Sequence, residues 1–183
     1  MSAFELLQPS TLEEALEIFA APGFAGRPVS GATAISLMRR AGVLNVDSLV
    51  SLERLRESMR GIHLASDGQA QVDGLVTLGE MENHAGLAAS HPILPAVFAT
   101  LANPRVRNVA MIGGYLAHGD PHMDLPPVLS ALNARVLAQS VRGSREIPVD
   151  ELYRGYYETS LEADELITRL VIPPQPACAH YKK

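Results

Sequence analysis

The sequence predicts an α+β fold: a small α/β unit, then a larger lobe with a mainly antiparallel sheet and flanking helices. In the first fifty residues, helical and strand-like patterns alternate. After Gly61, apolar and polar residues alternate in short runs separated by turns. The 183 residues are 47% hydrophobic and 19% charged, enough to bury a core. We expect lobes at residues 1–53 and 54–176, and a tail at 177–183.

The first lobe begins with a helix. Overlapping capping boxes at residues 9–14 precede apolar residues that recur on one helical face as far as Phe19. A short strand then ends at Val29, and a turn of small residues leads into a second helix, which Gly42 terminates. The apolar, β-branched residues 46–52 predict another strand.

The second lobe begins with a hairpin, because an Asp-Gly turn separates two short strand patterns. Its later elements are predicted from capping boxes, proline positions and alternating apolar residues. In chain order the predicted elements are strands 62–64 and 69–72, a capped helix from 77, a buried helix at 92–101, a helix at 126–132, a hairpin at 135–147 and a final strand at 165–172.

Composition excludes several classes of function. A net charge of -5 without a Lys/Arg cluster argues against nucleic-acid binding. No apolar run approaches the ~20 residues of a membrane-spanning helix. We see no signal peptide, and the single cysteine permits no internal disulfide, so we expect a cytoplasmic protein. The Rossmann, P-loop and zinc-protease motifs are absent.

Two small-residue turns, at residues 29–34 and 111–115, are the main candidates for a ligand-binding site. Each turn follows an apolar, strand-like stretch. Residues without bulky side chains let several backbone N–H groups converge on an anion, and a following helix N-terminus assists them. Two such turns suit a diphosphate. Each turn taken separately is better explained as a tight turn that needs positive φ.

The acidic loop at residues 120–124 allows two interpretations. Asp124 precedes Leu-Pro-Pro, which is typical of a helix N-cap, but its carboxylate also suits sugar or ribityl hydroxyls. His118 and His122 alternate with Asp120 and Asp124 at a spacing compatible with a metal. Because this loop contains glycine and proline, we expect no metal site.

The remaining polar and aromatic residues are expected to have structural roles. The tyrosines between residues 153 and 157 suit packing on a planar ring, but core positions are the commoner fate. Cys178 is expected to behave as a small hydrophobe. Arg105 and Arg107 lie beside the second turn, where contact with a ligand, with a partner or with water alone is open, and water is the usual fate of surface arginines.

Several segments form a pattern in chain order that is more specific than any one of them. They are residues 4–20, 30–33, 107–117, 120–127, 155–159 and 165–167. This pattern resembles the FAD-binding (medium) subunit of the xanthine dehydrogenase and carbon monoxide dehydrogenase family of molybdenum hydroxylases. The resemblance covers nearly the whole chain. It stops near the tail, where members of the family continue into a C-terminal subdomain.

The resemblance implies a two-lobed FAD-binding fold of the PCMH type, with FAD extended between the lobes and its diphosphate over the first turn. Asp124 is implied to bind FAD hydroxyls. No residue is implied to act as a catalytic acid or base. By position, the implied cofactor-binding residues are Pro28, Val29, Ser30, Gly31, Ala32, Thr33, Ala34, Ile35, Leu101, Met111, Ile112, Gly113, Gly114, Tyr115, Asp124, Ile167 and Lys182.

The chain departs from the family at both turns. The usual A-G-G-T is Ser-Gly-Ala-Thr at residues 30–33, and the usual T-I-G-G-N is Met-Ile-Gly-Gly-Tyr at 111–115. Ala32 adds a Cβ where backbone approaches the ligand, and Met111 removes a hydroxyl donor. Without compensation, these changes weaken binding by roughly a few kcal/mol.

The implied function is electron transfer. Electrons pass from a molybdenum-cofactor subunit through an iron–sulfur subunit to FAD on this chain, and then to an external acceptor. A second hypothesis is a flavin-free scaffold or interaction domain of the same fold. A third, a self-sufficient FAD oxidase, needs a substrate domain that this chain is too short to supply.

Overall fold

A computed structural model describes residues 4–183, in which strands and short helices alternate. The strands are β1 (Glu5–Leu7), β2 (Arg27–Val29), β3 (Ser48–Ser51), β4 (Ile62–Leu64), β5 (Ala70–Asp73), β6 (Arg135–Ser140), β7 (Gly143–Pro148), β8 (Tyr153–Gly155), β9 (Glu158–Thr159) and β10 (Leu166–Ile172). The helices are α1 (Leu12–Ala20), α2 (Thr33–Arg40), α3 (Leu78–Asn83), α4 (Ala85–Ser90), α5 (Ile93–Phe98), α6 (Pro104–Arg107), α7 (Ile112–Ala117), α8 (Leu125–Ala131) and α9 (Val149–Leu152), with a 3-10 helix at Glu53–Ser58.

The N-terminal part is a three-stranded parallel sheet in the order β1-β3-β2. Helix α1 connects β1 to β2, and its N-terminus is capped by Thr11, whose side chain accepts from the Glu14 N–H at 3.1 Å. The buried face of α1 carries Ala15, Leu16 and Phe19. These contacts confirm the helix predicted from the capping box and the apolar spacing.

The C-terminal part is built on a five-stranded antiparallel sheet in the order β4-β5-β10-β6-β7. The Asp-Gly hairpin joins β4 to β5 as predicted, and β6 and β7 form the later hairpin. Strand β10 lies at the centre, and six of its seven residues are buried. The last strand in sequence therefore joins the two hairpins into one sheet.

Two hydrophobic clusters stabilise the molecule. The larger one lies between the five-stranded sheet and the helices of the second lobe. The smaller one combines Leu16 and Val50 of the first lobe with Leu75, Met111 and Leu166 of the second. Because burial of these side chains removes apolar surface of both lobes from water, the lobes share part of their stabilisation.

Several predictions for the second lobe were wrong. Residues 111–115 are not a turn after a strand: they follow the short helix α6, and Met111 is the N-cap of α7. The buried helix predicted at 92–101 is confirmed as α5, with the narrower bounds Ile93–Phe98. Tyr156 and Tyr157 are 72% and 46% exposed, because they lie at the β8–β9 hairpin outside the core.

Arg107 was also predicted wrongly, since it is buried. Its guanidinium forms two hydrogen bonds with the Glu82 carboxylate, at 2.7 and 2.9 Å, and it donates to the Leu101 carbonyl at 2.8 Å. A buried guanidinium requires such partners. Cys178, expected to pack as a hydrophobe, is exposed instead. Among residues 4–183, no helix is long and apolar enough to cross a membrane.

Candidate functional site

The first small-residue turn connects β2 to α2 and presents a row of unpaired backbone N–H groups. Ala32, the N-cap, has φ 56°, in the left-handed region. None of the backbone N–H groups at positions 30–35 donates a hydrogen bond to another group within residues 4–183. A left-handed residue followed by a helix turns successive N–H groups toward one side, which creates a concave anion-binding backbone.

Gly31 fixes this turn against the second lobe. A Cβ at Gly31 would lie 1.7 Å from the Val109 carbonyl oxygen, a distance that no side chain tolerates. Only glycine therefore lets the first turn approach the segment before α7 so closely. The contact places the two predicted turns beside each other.

The second turn is the N-terminal end of α7, and hydrogen bonds attach it to the five-stranded sheet. The Gly113 N–H donates to the Gly74 carbonyl at 2.9 Å, and the Gly74 N–H donates to the Thr168 carbonyl of β10 at 2.8 Å. A Cβ at Gly113 would lie 2.9 Å from the carbonyl oxygens of both Gly74 and Ile167. The absence of a side chain lets α7 begin directly against the sheet.

A cleft separates the two turns. Gly114 faces it: apart from its chain neighbours and the backbone of α7, the one atom of residues 4–183 within 4 Å of a Cβ there would be the Ser30 Oγ, at 3.5 Å. Five of the predicted cofactor residues line this cleft, namely Pro28, Ser30, Gly113, Gly114 and Ile167. Val29, Gly31, Ala32, Thr33, Ala34 and Ile35 continue the same first turn, all half-buried.

The side chains of the residues next to the two glycines of α7 do not line the cleft. Met111 is 4% exposed and packs in the smaller hydrophobic cluster, so the side chain expected beside phosphate lies in the core. Ile112 is fully buried. Burial raises the pKa of Tyr115, whose partly buried ring packs against the larger hydrophobic cluster.

Asp124 precedes α8 as predicted, but its side chain makes no capping hydrogen bond. The backbone at Asp124 is already helical, with φ -80° and ψ -29°, whereas a capping side chain needs an extended N-cap. The carboxylate instead accepts from the Lys183 ammonium at 2.7 Å. It lines a second cavity of ≈ 440 Å³ together with Lys182.

Leu101 lies in neither cavity. It is 2% exposed in the larger core, and its carbonyl accepts from Arg107. The structure thus brings together the two turns and Ile167, places Asp124 and Lys182 at the second cavity, and leaves Leu101 as a supporting core residue.

Charged groups border the cleft and the loop after α7. Hydrogen bonds from Arg145 lower the pKa of Glu165, which lines the cleft with its carboxylate almost completely buried. Burial lowers the pKa of His118, and the N–H of His122 lowers that of Asp120. Within residues 4–183, no three His, Cys, Asp or Glu side chains are arranged to hold a metal ion.

Sequence reasoning missed most of the apolar lining of the cleft, because those residues come from five separate segments and carry no common motif. Glu165 was noted as the start of a strand and as part of the resembling segment 165–167, but not as a residue of the site. The residues that were missed are Leu12, Leu52, Leu55, Met59, Gly74, Leu75, Ala117, Glu165 and Leu166.

The family model described as "FAD binding domain in molybdopterin dehydrogenase" matches residues 2–175. The chain belongs to this family of FAD-binding domains. Family membership confirms the resemblance found in the sequence, and FAD is the cofactor that the family's description names. The pairing of a parallel N-terminal sheet with a larger antiparallel sheet is consistent with this FAD-binding α+β fold.

Named relatives and a solved structure agree with this assignment. The chain is 33% identical over 187 residues to the nicotine 6-hydroxylase medium subunit of Paenarthrobacter nicotinovorans, covering 96% of this chain and 61% of the relative. It is 31% identical over 138 residues to the xanthine dehydrogenase FAD-binding subunit of Escherichia coli O157:H7, covering 73% and 47%. The carbon monoxide dehydrogenase structure from Hydrogenophaga pseudoflava matches with a TM-score of 0.90 and 26% identity, covering 96% and 61%.

These relatives are, by name, subunits of a hydroxylase and of a dehydrogenase, and the family's description assigns the FAD-binding domain to molybdopterin dehydrogenase. The chain spans about three-fifths of the length of the first curated relatives that it matches.

Proposed function

We propose that this chain binds one FAD in the cleft between the two turns and serves as the electron-transfer part of a molybdenum hydroxylase. The observation that carries the proposal is the row of unpaired N–H groups at residues 30–35, which faces the glycines of α7 across the cleft. A diphosphate is the group that such a backbone surface accommodates best.

The residues present fit the dinucleotide at its diphosphate. The N–H groups of residues 30–35 supply donors for the phosphate oxygens, and Gly114 carries no side chain on the opposite wall. Ile167 supplies apolar lining. Asp124 and Lys182, at the second cavity, are proposed to contact hydroxyl and polar groups of the cofactor, with the Lys183 ion pair giving way. Leu101 is proposed to support the site from the core.

Bound FAD supplies redox chemistry that accepts electrons singly and releases them in pairs. The role of this chain is to bind and orient that cofactor and to exclude water from it, and we assign no acid–base step to any side chain. The single cysteine, Cys178, cannot ligate an iron–sulfur cluster. The iron–sulfur and molybdenum centres are therefore proposed to lie on partner chains, and the isolated chain is expected to hydroxylate nothing.

A cytoplasmic location is proposed for this assembly. Cys178 is exposed and forms no disulfide, which suits a reducing compartment. The external electron acceptor is proposed to meet the flavin on this chain.

A flavin-free scaffold domain is the second candidate, and one observation favours it. Ala32 carries a Cβ at a left-handed position in the middle of the anion-binding turn, where glycine gives the closest backbone approach to a ligand. The two functions differ in a single measurable property, the retention of flavin by the folded chain.

The test is the visible absorption spectrum of the purified chain after incubation with excess FAD and removal of unbound cofactor. We expect a flavin band equivalent to about one FAD per chain, by the stoichiometry of one dinucleotide per cleft. A colourless chain that still unfolds cooperatively would establish the scaffold role instead.

A matched pair of variants locates the bound flavin. Gly114→Leu adds a side chain that points into the cleft, and its helical position tolerates leucine. It is expected to fold and to lose the flavin band. Ala96→Leu makes the same kind of change at an exposed position of α5, and it should keep the band. Equal retention by both variants would contradict the proposed position of the diphosphate.

A further inference from the structure

The two helices of the first lobe lie in segments of opposite charge. Residues 5–17, which reach into α1, contain four glutamates and no lysine or arginine. Residues 18–46, which include α2, contain three arginines and no aspartate or glutamate. A chain of net charge -5 therefore carries one acidic and one basic segment within a single lobe.

The acidic face lies on α1. Glu13 and Glu17 are exposed, and neither makes a hydrogen bond or salt bridge to another group in residues 4–183. They are four positions apart on one helix, where like charges repel. The helix dipole favours Glu13 in the first turn, but not Glu17 one turn further along. The face thus holds negative charge that no group in the described part of the chain neutralises.

The basic face lies on α2 and combines a cation with exposed apolar side chains. Arg40 is exposed and has no hydrogen bond or salt bridge within residues 4–183. Leu37, one turn before it, is 66% exposed, and Val43, just after the helix, is 65% exposed. The helix dipole accounts for Arg40 in the last turn, but not for Leu37 and Val43. Apolar side chains beside a charged rim suit a contact with another protein surface.

The two helices cover opposite faces of the three-stranded sheet. The strand order β1-β3-β2 takes the chain two positions across the sheet through α1 and one position back through α2. Right-handed connections then place the helices on opposite faces. Adjacent residues of β3 agree with this, because Val50 packs in the smaller cluster with α1, whereas Leu49 is buried outside both clusters. One copy cannot bring its own two faces together, but two copies can.

We infer that this chain associates with itself head to tail, the basic face of α2 on one copy docking on the acidic face of α1 on the next. The helices are eight and nine residues long, so the two faces match in length as well as in charge. A contact between two short helices is small, so the association is weak and depends on salt. Because the two faces differ, the contact is heterologous, and an open assembly keeps one free face of each kind.

Sedimentation velocity of the full chain without cofactor measures this association. The weight-average mass is expected to rise above 19.6 kDa with concentration at low salt. It should return to that value at about 1 M salt, where the Debye length falls to about 3 Å. Arg40→Glu and Glu17→Arg should each lower the association constant about tenfold. Arg105→Glu and Glu151→Arg, matched charge reversals at exposed positions of the second lobe, should leave it within about twofold.

A mixture of the two variants distinguishes a head-to-tail contact from a general effect of charge. Arg40→Glu keeps the native acidic face, and Glu17→Arg keeps the native basic face. An equimolar mixture should therefore restore the association that neither variant shows alone. Urea unfolding of each variant checks its fold, and Arg40→Gln with Glu17→Gln provides a milder pair if a charge reversal disturbs it.

Three results would overturn the inference. The wild-type chain stays monomeric at every concentration, the two control reversals weaken association as much as the test variants do, or the mixture restores nothing. A monomeric wild-type chain that sediments with vesicles of equal parts POPC and POPG, but not with POPC alone, would assign the basic face to anionic lipid instead. These measurements omit FAD, so failure of the proposed flavin binding is a separate result and leaves the inference untouched.

Discussion

Replacement of Ala32 by glycine tests whether the first turn is strained. Ala32 has φ 56°, and a left-handed conformation costs a residue with a Cβ about 1–2 kcal/mol. Glycine loses about 0.5–1 kcal/mol more conformational freedom on folding. The difference predicts that Ala32→Gly raises the free energy of unfolding by about 1 kcal/mol, or the Tm by about 3 °C for a chain of this size.

Urea and thermal unfolding of the chain without cofactor measure this effect directly. Ala96→Gly is the matched control, because Ala96 is an exposed residue inside helix α5. There the same substitution should cost about 1 kcal/mol. Opposite signs for the two variants are the expected result. If Ala32→Gly lowers the free energy of unfolding as Ala96→Gly does, the assignment of strain to the turn is refuted.

Three further predictions concern the support of the cleft. Arg107→Ala should lower the free energy of unfolding by about 2 kcal/mol, since the half-buried Glu82 carboxylate and the Leu101 carbonyl lose their donor, while Arg105→Ala at the surface should leave urea unfolding unchanged. Gly31→Ala should cost about 3 kcal/mol by overpacking, and a wild-type unfolding curve would contradict the close approach. Because the pKa of Glu165 is lowered in the folded chain, its ionised carboxylate stabilises the fold at pH values above 4.5, the ordinary pKa of this group. This contribution is lost as the pH falls through the lowered pKa. Tm of the wild type should therefore fall more between pH 7 and 4 than that of Glu165→Gln, with exposed Glu162→Gln behaving like the wild type.

The elements that sequence predicted correctly have local signals. The capping box before α1 specifies that helix through residues three positions apart, and the Asp-Gly dipeptide specifies the β4–β5 hairpin. The family resemblance came from six such short segments in the right order. These features were predictable because their causes lie within a few residues of their effects.

The features that sequence missed depend on distant partners. Two glycines made residues 111–115 resemble a turn, but a hydrogen bond from Gly113 to Gly74, far away in sequence, places them at a helix start. Arg107 is buried because Glu82, 25 residues away, accepts its hydrogen bonds. Asp124 was assigned a capping bond, but the second and third residues of α8 are Pro126 and Pro127, which have no backbone N–H to donate. The first two errors concern contacts that no local pattern encodes.

The two walls of the cleft differ in mechanical support. On one side, α7 is tied through Gly74 to the central strand β10. On the other, α2 contains no buried residue, so its backbone opens at low free-energy cost. Amide hydrogen exchange should therefore be fast along α2 and slow along α7 in the chain without cofactor. A ligand that accepts hydrogen bonds from the first N–H groups of α2 would slow that exchange. Binding of the dinucleotide would then also stabilise this helix, because the ligand binds only its folded form.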